Sequence, residues 1–255
     1  MALPGCTRPA PPDPVAARRI ADRCHRATAA DLVTAVGIPT GARVLDLGAG
    51  TGVAATAARA ATGPTGRVVA LDPEPGLVTA AGDAAAVVVG AAPGLPFATH
   101  TFDAVLAHLV LGHLPDPRRA LHDVVRVLRP GGRVGLVTWG RTDDAPPVDD
   151  GAERAALACW DDVVARHVDL GRVDDLAGAA VPWEDVFSDP AHLRIALAGA
   201  HLRVVTLVGW ASRVALTHAE WLDRTALGAR ARAAAVLLGP ERSDAVRDEV
   251  AAALR

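Results

Sequence analysis

The sequence predicts a doubly wound α/β fold, and three observations carry that prediction. Short apolar runs alternate with helical segments over residues 43–139, the runs are continuously apolar, and the first ends in a glycine-rich turn that opens a helix. Runs without alternation belong to a parallel sheet covered on both faces. The chain has 255 residues, 51% of them apolar, which is enough for one sizeable core.

The elements follow in order. Pro4, Pro9, Pro11, Pro12 and Pro14 cannot sustain a helix and read as an arm, after which a helix is expected from about Val15 to Val36. Strands are expected at Arg43–Leu47, Arg67–Leu71, Ala85–Val89, Phe102–Ala107 and Arg133–Thr138, with helices at Val53–Ala61, Leu77–Gly82 and Pro117–Leu128. After Gly140 the character changes. Asp143 to Asp189 holds thirteen acidic residues against three Arg, with a helix expected at Ala152–His167, and reads as an insertion. The strand and helix rhythm returns with a helix at Asp189–Ala198 and strands at Leu202–Val208 and Ala211–Leu216.

Composition excludes whole chemistries. The sequence has no Lys, Asn, Gln or Tyr, so a P-loop Lys, a Schiff-base Lys, a kinase Lys and a Tyr-Lys reductase pair are all ruled out. The general bases left are nine His and the carboxylates. Cys6, Cys24 and Cys159 are scattered without a CxxC pair, which suits a reducing cytoplasm, and no metal site is expected. The N-terminus lacks a signal-peptide pattern, and the longest uncharged stretch, Ala84–Phe102, is broken by Gly90, Pro93, Gly94 and Pro96, so no membrane partner is expected.

The strongest local signal is VLDLGAGTG, Val44–Gly52, a strand carrying Asp46 followed by Gly48, Gly50 and Gly52. Glycines there let the backbone turn tightly and approach a ligand closely. Asp72 closes the next strand in VVALDPEP, about twenty residues on, where a carboxylate can accept from both hydroxyls of a ribose. The pattern is GxGxG, with Val53 where a dinucleotide site wants its third glycine. A carboxylate at Asp46 would also oppose a pyrophosphate at the helix start. It suits a ligand with a positively charged amino group, a ribose and an adenine, as in S-adenosylmethionine (SAM).

Four stretches in order, VLDLGAGTG, LDPEPGLVTAA, LPFATHTFDAVLAHLVLGHLPDPRRAL and VLRPGGRVGLVTW, resemble the class I SAM-dependent methyltransferases, in the branch similar to the ubiquinone/menaquinone-biosynthesis enzymes. They run from Arg43 to Trp139, about two fifths of the chain, and FSDPAHLRIALAGAHLRVV resembles the family's final helix and strand. The resemblance implies a Rossmann-like seven-stranded sheet whose last strand is antiparallel, with a helical cap inserted after strand 5. It divides a single domain into an arm and start of a lid helix (1–30), a SAM-binding core (31–140), an acidic substrate cap (141–190) and a C-terminal completion of the sheet with closing helices (191–255).

Carried over residue by residue, it places Gly48, Ala49, Gly50 and Gly52 against the methionine part of SAM, Asp46 at the amino group directly or through water, and Asp72 and Pro73 at the ribose. One departure stands out. Before LPF the family commonly has Gly-Asp-Ala, whose Asp takes the adenine amino group, and here the run is Gly90, Ala91, Ala92. Losing such a bond costs about 1.5–3 kcal/mol. Backbone N–H groups of Ala91 and Ala92 remain to read adenine.

His108 ends the fourth strand, beside both cofactor and acceptor, and His113 matches a position where the family often carries a near-catalytic His. Either serves as a base or as a packed imidazole bonded to backbone. His25, on the helix that covers the site in this family, is a weaker candidate. Trp139, Trp160 and Trp183 fall at the end of strand 5 or in the insertion, where indole walls suit a flat or apolar acceptor. The acidic pairs at Asp143, Asp149, Asp161 and Asp174 are a solvated face or select a cationic acceptor, and they argue against nucleic acid. The expected activity is methyl transfer to a small molecule in secondary or cofactor metabolism, with a homodimer left open. A non-methylating rearrangement or cyclisation on the same fold, and a non-catalytic binding protein, are the alternatives.

Overall fold

The computed structural model describes residues 14–140, 151–209 and 214–255. The four prolines of the expected arm before Pro14, and the acidic pairs at Asp143 and Asp149, lie outside them. In chain order the elements are α1 (Pro14–Val36), β1 (Arg43–Leu47), α2 (Val53–Thr62), β2 (Arg67–Asp72), α3 (Pro75–Val78), β3 (Ala86–Val89), β4 (Phe102–His108), α4 (Pro117–Val127), β5 (Leu128–Val137), α5 (Gly151–Ala165), α6 (Leu170–Ala180), α7 (Glu184–Phe187), α8 (Pro190–Gly199), α9 (His218–Leu227), α10 (Ala229–Leu238) and α11 (Pro240–Ala253). A 3₁₀ segment at Thr79–Ala84, kinked at Gly82, follows α3, and a single 3₁₀ turn at Leu111–His113 follows β4.

The strands form one parallel sheet in the order β3-β2-β1-β4-β5. Chain order reverses between β1 and β4, which opens a crevice at the carboxyl ends of those strands. The continuous apolar runs are explained by two covered faces. Leu45, Leu47, Val105 and Ala107 pack with α4 and α8, while Val44, Ala104 and Leu106 pack with α1 and α2. Small residues set the helix distances. Ala54, Ala55 and Ala58 are the buried face of α2, and a side chain at Gly135 on β5 would come within 2.4 Å of Val36 and 2.8 Å of Leu32 on α1. α4 starts where Asp116 accepts from the Arg119 N–H and Pro117 occupies the first turn.

A third apolar cluster sits in a separate helical layer. Trp160, Val163 and Val173 from α5 and α6 pack with Trp221, Ala234 and Val246 from α9–α11, so the insertion and the C-terminal helices share one core. The end of the insertion does not join it, because Phe187 packs with the sheet. A 2.8 Å salt bridge from Arg19 to Asp223 and a 2.7 Å bond from Arg23 to the Ala215 carbonyl fasten this layer to α1.

Two sequence expectations are corrected. The described residues form five strands, all parallel, and neither a seven-stranded sheet nor an antiparallel last strand is present among them. The expected strand at Leu202–Val208 is unpaired, with Val205 80% and Val208 63% exposed, and β5 stays at the sheet edge. Of Ala211–Leu216, residues 211–213 lie outside the described residues and 214–216 are in no strand. Further along the chain, the Ala215 carbonyl accepts from Arg23 on α1 and Thr217 caps α9. The helix expected at Leu77–Gly82 is α-helical only over Pro75–Val78 and passes into the 3₁₀ segment, which is kinked at Gly82 with φ 58.

Phe102, the first residue of β4, anchors the loop between β3 and β4. It is 2% exposed and meets Phe97 edge-on at 5.0 Å. Phe102→Ala is expected to destabilise the fold by about 3–5 kcal/mol, read in urea as a lower midpoint at unchanged slope.

Candidate functional site

The turn after β1 is built by backbone bonds to the end of β2. The N–H groups of Gly48 and Ala49 both donate to the Leu71 carbonyl, at 2.8 and 3.0 Å, and the Gly50 N–H donates to Asp72 Oδ2 at 2.9 Å. Gly48, Gly50 and Gly52 take φ of 66, 52 and 81, a left-handed run that only glycine adopts without strain. Gly50 has open space where a Cβ would stand, whereas a Cβ on Gly48 would come within 2.1 Å of Val110, beyond β4. The other Asp72 oxygen accepts from Glu74 N–H at 2.9 Å, and the Asp72 carbonyl accepts from Gly90 N–H at 3.0 Å.

Asp46 lies beneath this turn and is fully buried. Neither carboxyl oxygen makes a hydrogen bond that satisfies both distance and angle. Burial pushes its pKa up to about 7, the nearby Ala55 N–H in the first turn of α2 opposes the shift, and the Asp72 charge adds to it. Any contact from Asp46 to a bound ligand therefore runs through the turn above it.

Pro73 is exposed at the rim beside Asp72, Ala91 is exposed and Ala92 is buried. The loop that follows them is held from α4. Asp123 accepts from the N–H groups of Gly94 and Leu95, and Arg126 donates to the carbonyls of Phe97 and Leu95 at 2.6 and 3.0 Å.

α1 covers the edge. Arg18 reaches the Thr51 carbonyl and, at 2.9 Å, the Thr56 hydroxyl. The Thr28 hydroxyl donates to the His25 carbonyl at 3.0 Å and is hydrogen-bonded to His108 Nε2 at 2.8 Å. Burial, with the neighbouring His25 ring at 5.7 Å adding its charge, lowers the His108 pKa to about 4. His108 is neutral at pH 7, and its ring is committed to the helix above it. His113 is exposed beyond the second 3₁₀ turn. Partial burial and the Arg232 charge from α10 lower its pKa against the pull of Asp72, so it too is neutral and able to accept a proton.

Beyond β4 and β5 a narrow open cleft of about 250 Å³, solvent space included, is lined by Leu109, Leu111, His113, Trp139, Glu184 and Phe187, among others. Trp139 also meets His25 edge-on at 6.1 Å, so α1 borders the same space.

Residues 45–136 match the family model described as a methyltransferase domain. Over these residues the chain carries a methyltransferase domain. A demethylmenaquinone methyltransferase of Clavibacter sepedonicus is 40% identical over 120 residues, 45% of this chain and 46% of that protein. An uncharacterized 37.1 kDa protein in a transposon of Streptomyces fradiae is 32% identical over 207 residues, 74% of this chain and 59% of its own length. A solved SAM-dependent methyltransferase of Aquifex aeolicus superposes with a TM-score of 0.44 at 21% identity, over 58% of this chain and 87% of that one. The chain spans about two fifths to three fifths of the length of the curated relatives it matches.

The cofactor of this methyltransferase domain is SAM, and the residues present fit it. The open face of Gly50 admits a close backbone approach, and each Asp72 oxygen has a single backbone donor and so keeps a lone pair for a hydroxyl. Five contributors to the domain's edge escaped the sequence reading. Thr28 and Val110 carry no motif. Asp123 and Arg126, three apart on α4, look like a solvated helix pair until their backbone partners are known. Glu184 was one acid among thirteen.

Asp46 and His108 give opposite pH dependences. Folded His108 titrates near 4 against 6.5 unfolded, so acidification through that window protonates the unfolded state first and stability is lost. Folded Asp46 titrates near 7 against 3.8 unfolded, so the folded state takes the proton first and stability is gained. The stability difference between wild type and Asp46→Asn is expected to move in favour of wild type by a few kcal/mol from pH 7 to pH 4, read by urea unfolding at each pH. A difference independent of pH would show that Asp46 is solvated and charged throughout.

Proposed function

We propose that this chain transfers the methyl group of SAM to a small-molecule acceptor. The observation that carries this reading is the placement of two sites on one sheet edge, with the Gly48–Gly52 turn and Asp72 at β1 and β2, and the His113 cleft beyond β4 and β5. The bound cofactor supplies a methyl group on an excellent sulfur leaving group, so the chain's main task is alignment, worth up to about 7–11 kcal/mol.

Gly48, Ala49, Gly50 and Gly52 would seat the methionine part, with Asp46 acting through the turn. Asp72 would hold the ribose and Pro73 would flank it. The backbone at Ala91 and Ala92 would face the adenine. His108 positions α1 over the edge rather than serving as a free base. His113 would take a proton from an acceptor hydroxyl or acidic carbon, worth about 10²–10⁴ in rate where the acceptor must lose one. The helical layer of α5, α6 and α9–α11, with α7, would form the substrate cap. A cytoplasmic location is part of the same proposal, supported by the free thiols of Cys24 and Cys159. No described helix is long and apolar enough to cross a membrane.

The absence of a carboxylate at Ala91 favours one second reading, a non-catalytic binding protein, and calorimetry separates the two. S-adenosylhomocysteine is expected to bind, and no binding at millimolar ligand overturns the transferase reading. Asp72→Ala should weaken that binding about 10- to 100-fold, because it removes hydrogen bonds to a charged group. His113→Ala should slow turnover at unchanged cofactor affinity, and full activity would retire His113 as a base.

A further inference from the structure

Glu184 lines the cleft, and methyl transfer as described above gives it no task. It opens α7 and its backbone is held tightly, because a Cβ on Gly112 would come within 3.1 Å of the Glu184 Cα and 3.2 Å of its Cβ. The Trp183 N–H reaches the Gly112 carbonyl beside it at 3.4 Å. Position 184 is therefore fixed against the loop that leaves β4.

The side chain is half-buried, and among the described residues no Arg, His or hydrogen-bond donor pairs with its carboxylate. Partial burial raises its pKa, and among the described residues the neighbouring charge that acts on it is Asp185, which repels. Arg232 acts on His113, and it is not among the charges felt at Glu184. Around this unpaired acid the cleft is walled by Leu109, Leu111, Phe187 and Trp139, the last 50% exposed and presenting its indole to solvent. A carboxylate without a cation, set among apolar and aromatic walls, suits an ammonium on an apolar body through a charge-assisted hydrogen bond and contact with a ring face.

We infer that the cleft between the ends of β4 and β5 and α7 takes an acceptor with an aromatic-sized apolar body and a cationic amine, and that Glu184 is the specificity-determining anchor for that amine. The word acceptor rests on the methyl-transfer reading, while recognition of the amine does not. The ammonium is held as a cation and no proton moves at Glu184. Neutral His113 in the same cleft does not repel it.

The test uses calorimetric titration of the full chain with 2-phenylethylamine and with its neutral counterpart 2-phenylethanol, with and without saturating S-adenosylhomocysteine. The amine is expected to bind tenfold or more tighter than the alcohol. Glu184→Gln is expected to abolish that preference by weakening the amine alone, leaving the alcohol and S-adenosylhomocysteine unchanged. Equal binding of the two probes by wild type overturns the inference. So does a preference that survives in Glu184→Gln, or no saturable amine binding at millimolar concentration. A preference for the amine in a protein that ignores S-adenosylhomocysteine would sustain the ligand class and sink the transferase reading. Cofactor binding without the preference would do the reverse.

Discussion

The bonds from Gly48 and Ala49 to the Leu71 carbonyl, and from Gly50 to Asp72, hold the carboxyl ends of β1 and β2 together, and the rest of the edge is arranged around them. The turn can be made only with φ positive at alternate residues, which is why glycines stand at 48, 50 and 52. It also reaches the third strand, because Val110 beyond β4 sits where a side chain on Gly48 would be. One loop thus fixes three strand ends relative to one another. A ligand arriving there meets a preformed crevice, and little ordering cost is left to the moment of binding.

Electrostatics under and over that loop follow from burial. Asp46 has lost water without gaining a full hydrogen bond, and His108 has lost water while bonding Thr28. Each is pushed toward its neutral form, one upward and one downward. Their opposite drifts on acidification offset each other. The edge therefore tolerates a buried acid and a buried imidazole around neutral pH without a salt bridge between them. α1 joins this arrangement to the helical layer, since Arg18 and Thr28 face the sheet while Arg19 and Arg23 face α9 and the segment before it.

Why some features can be read from the chain and others cannot is clearest in particular residues. β1, β2 and β4 announce themselves because each is a short run buried on both faces, and such runs leave no alternation to misread. Leu202–Val208 is similarly apolar, yet it remains unpaired with Val205 largely exposed, since a strand needs a partner and composition does not say whether one is in reach. The hydrogen-bonding of Asp123 and Arg126 to a loop about thirty residues upstream is invisible in an i, i+3 acid-base pair, which has the same spelling on any solvated helix.

The sequence alone specified the parallel α/β core, the glycine turn and the acid that closes β2, because these depend on contacts between near neighbours and on backbone angles that few residues adopt. Folding in three dimensions settled the rest. It buried Asp46 beneath the turn, bound His108 to α1 and left His113 exposed. It packed α5 and α6 of the acidic insertion with the C-terminal helices into one layer, and among the insertion's described acids it set Glu184 on the cleft. Those outcomes turn on which distant segments meet, and burial, pairing and charge are properties of that meeting rather than of any residue type.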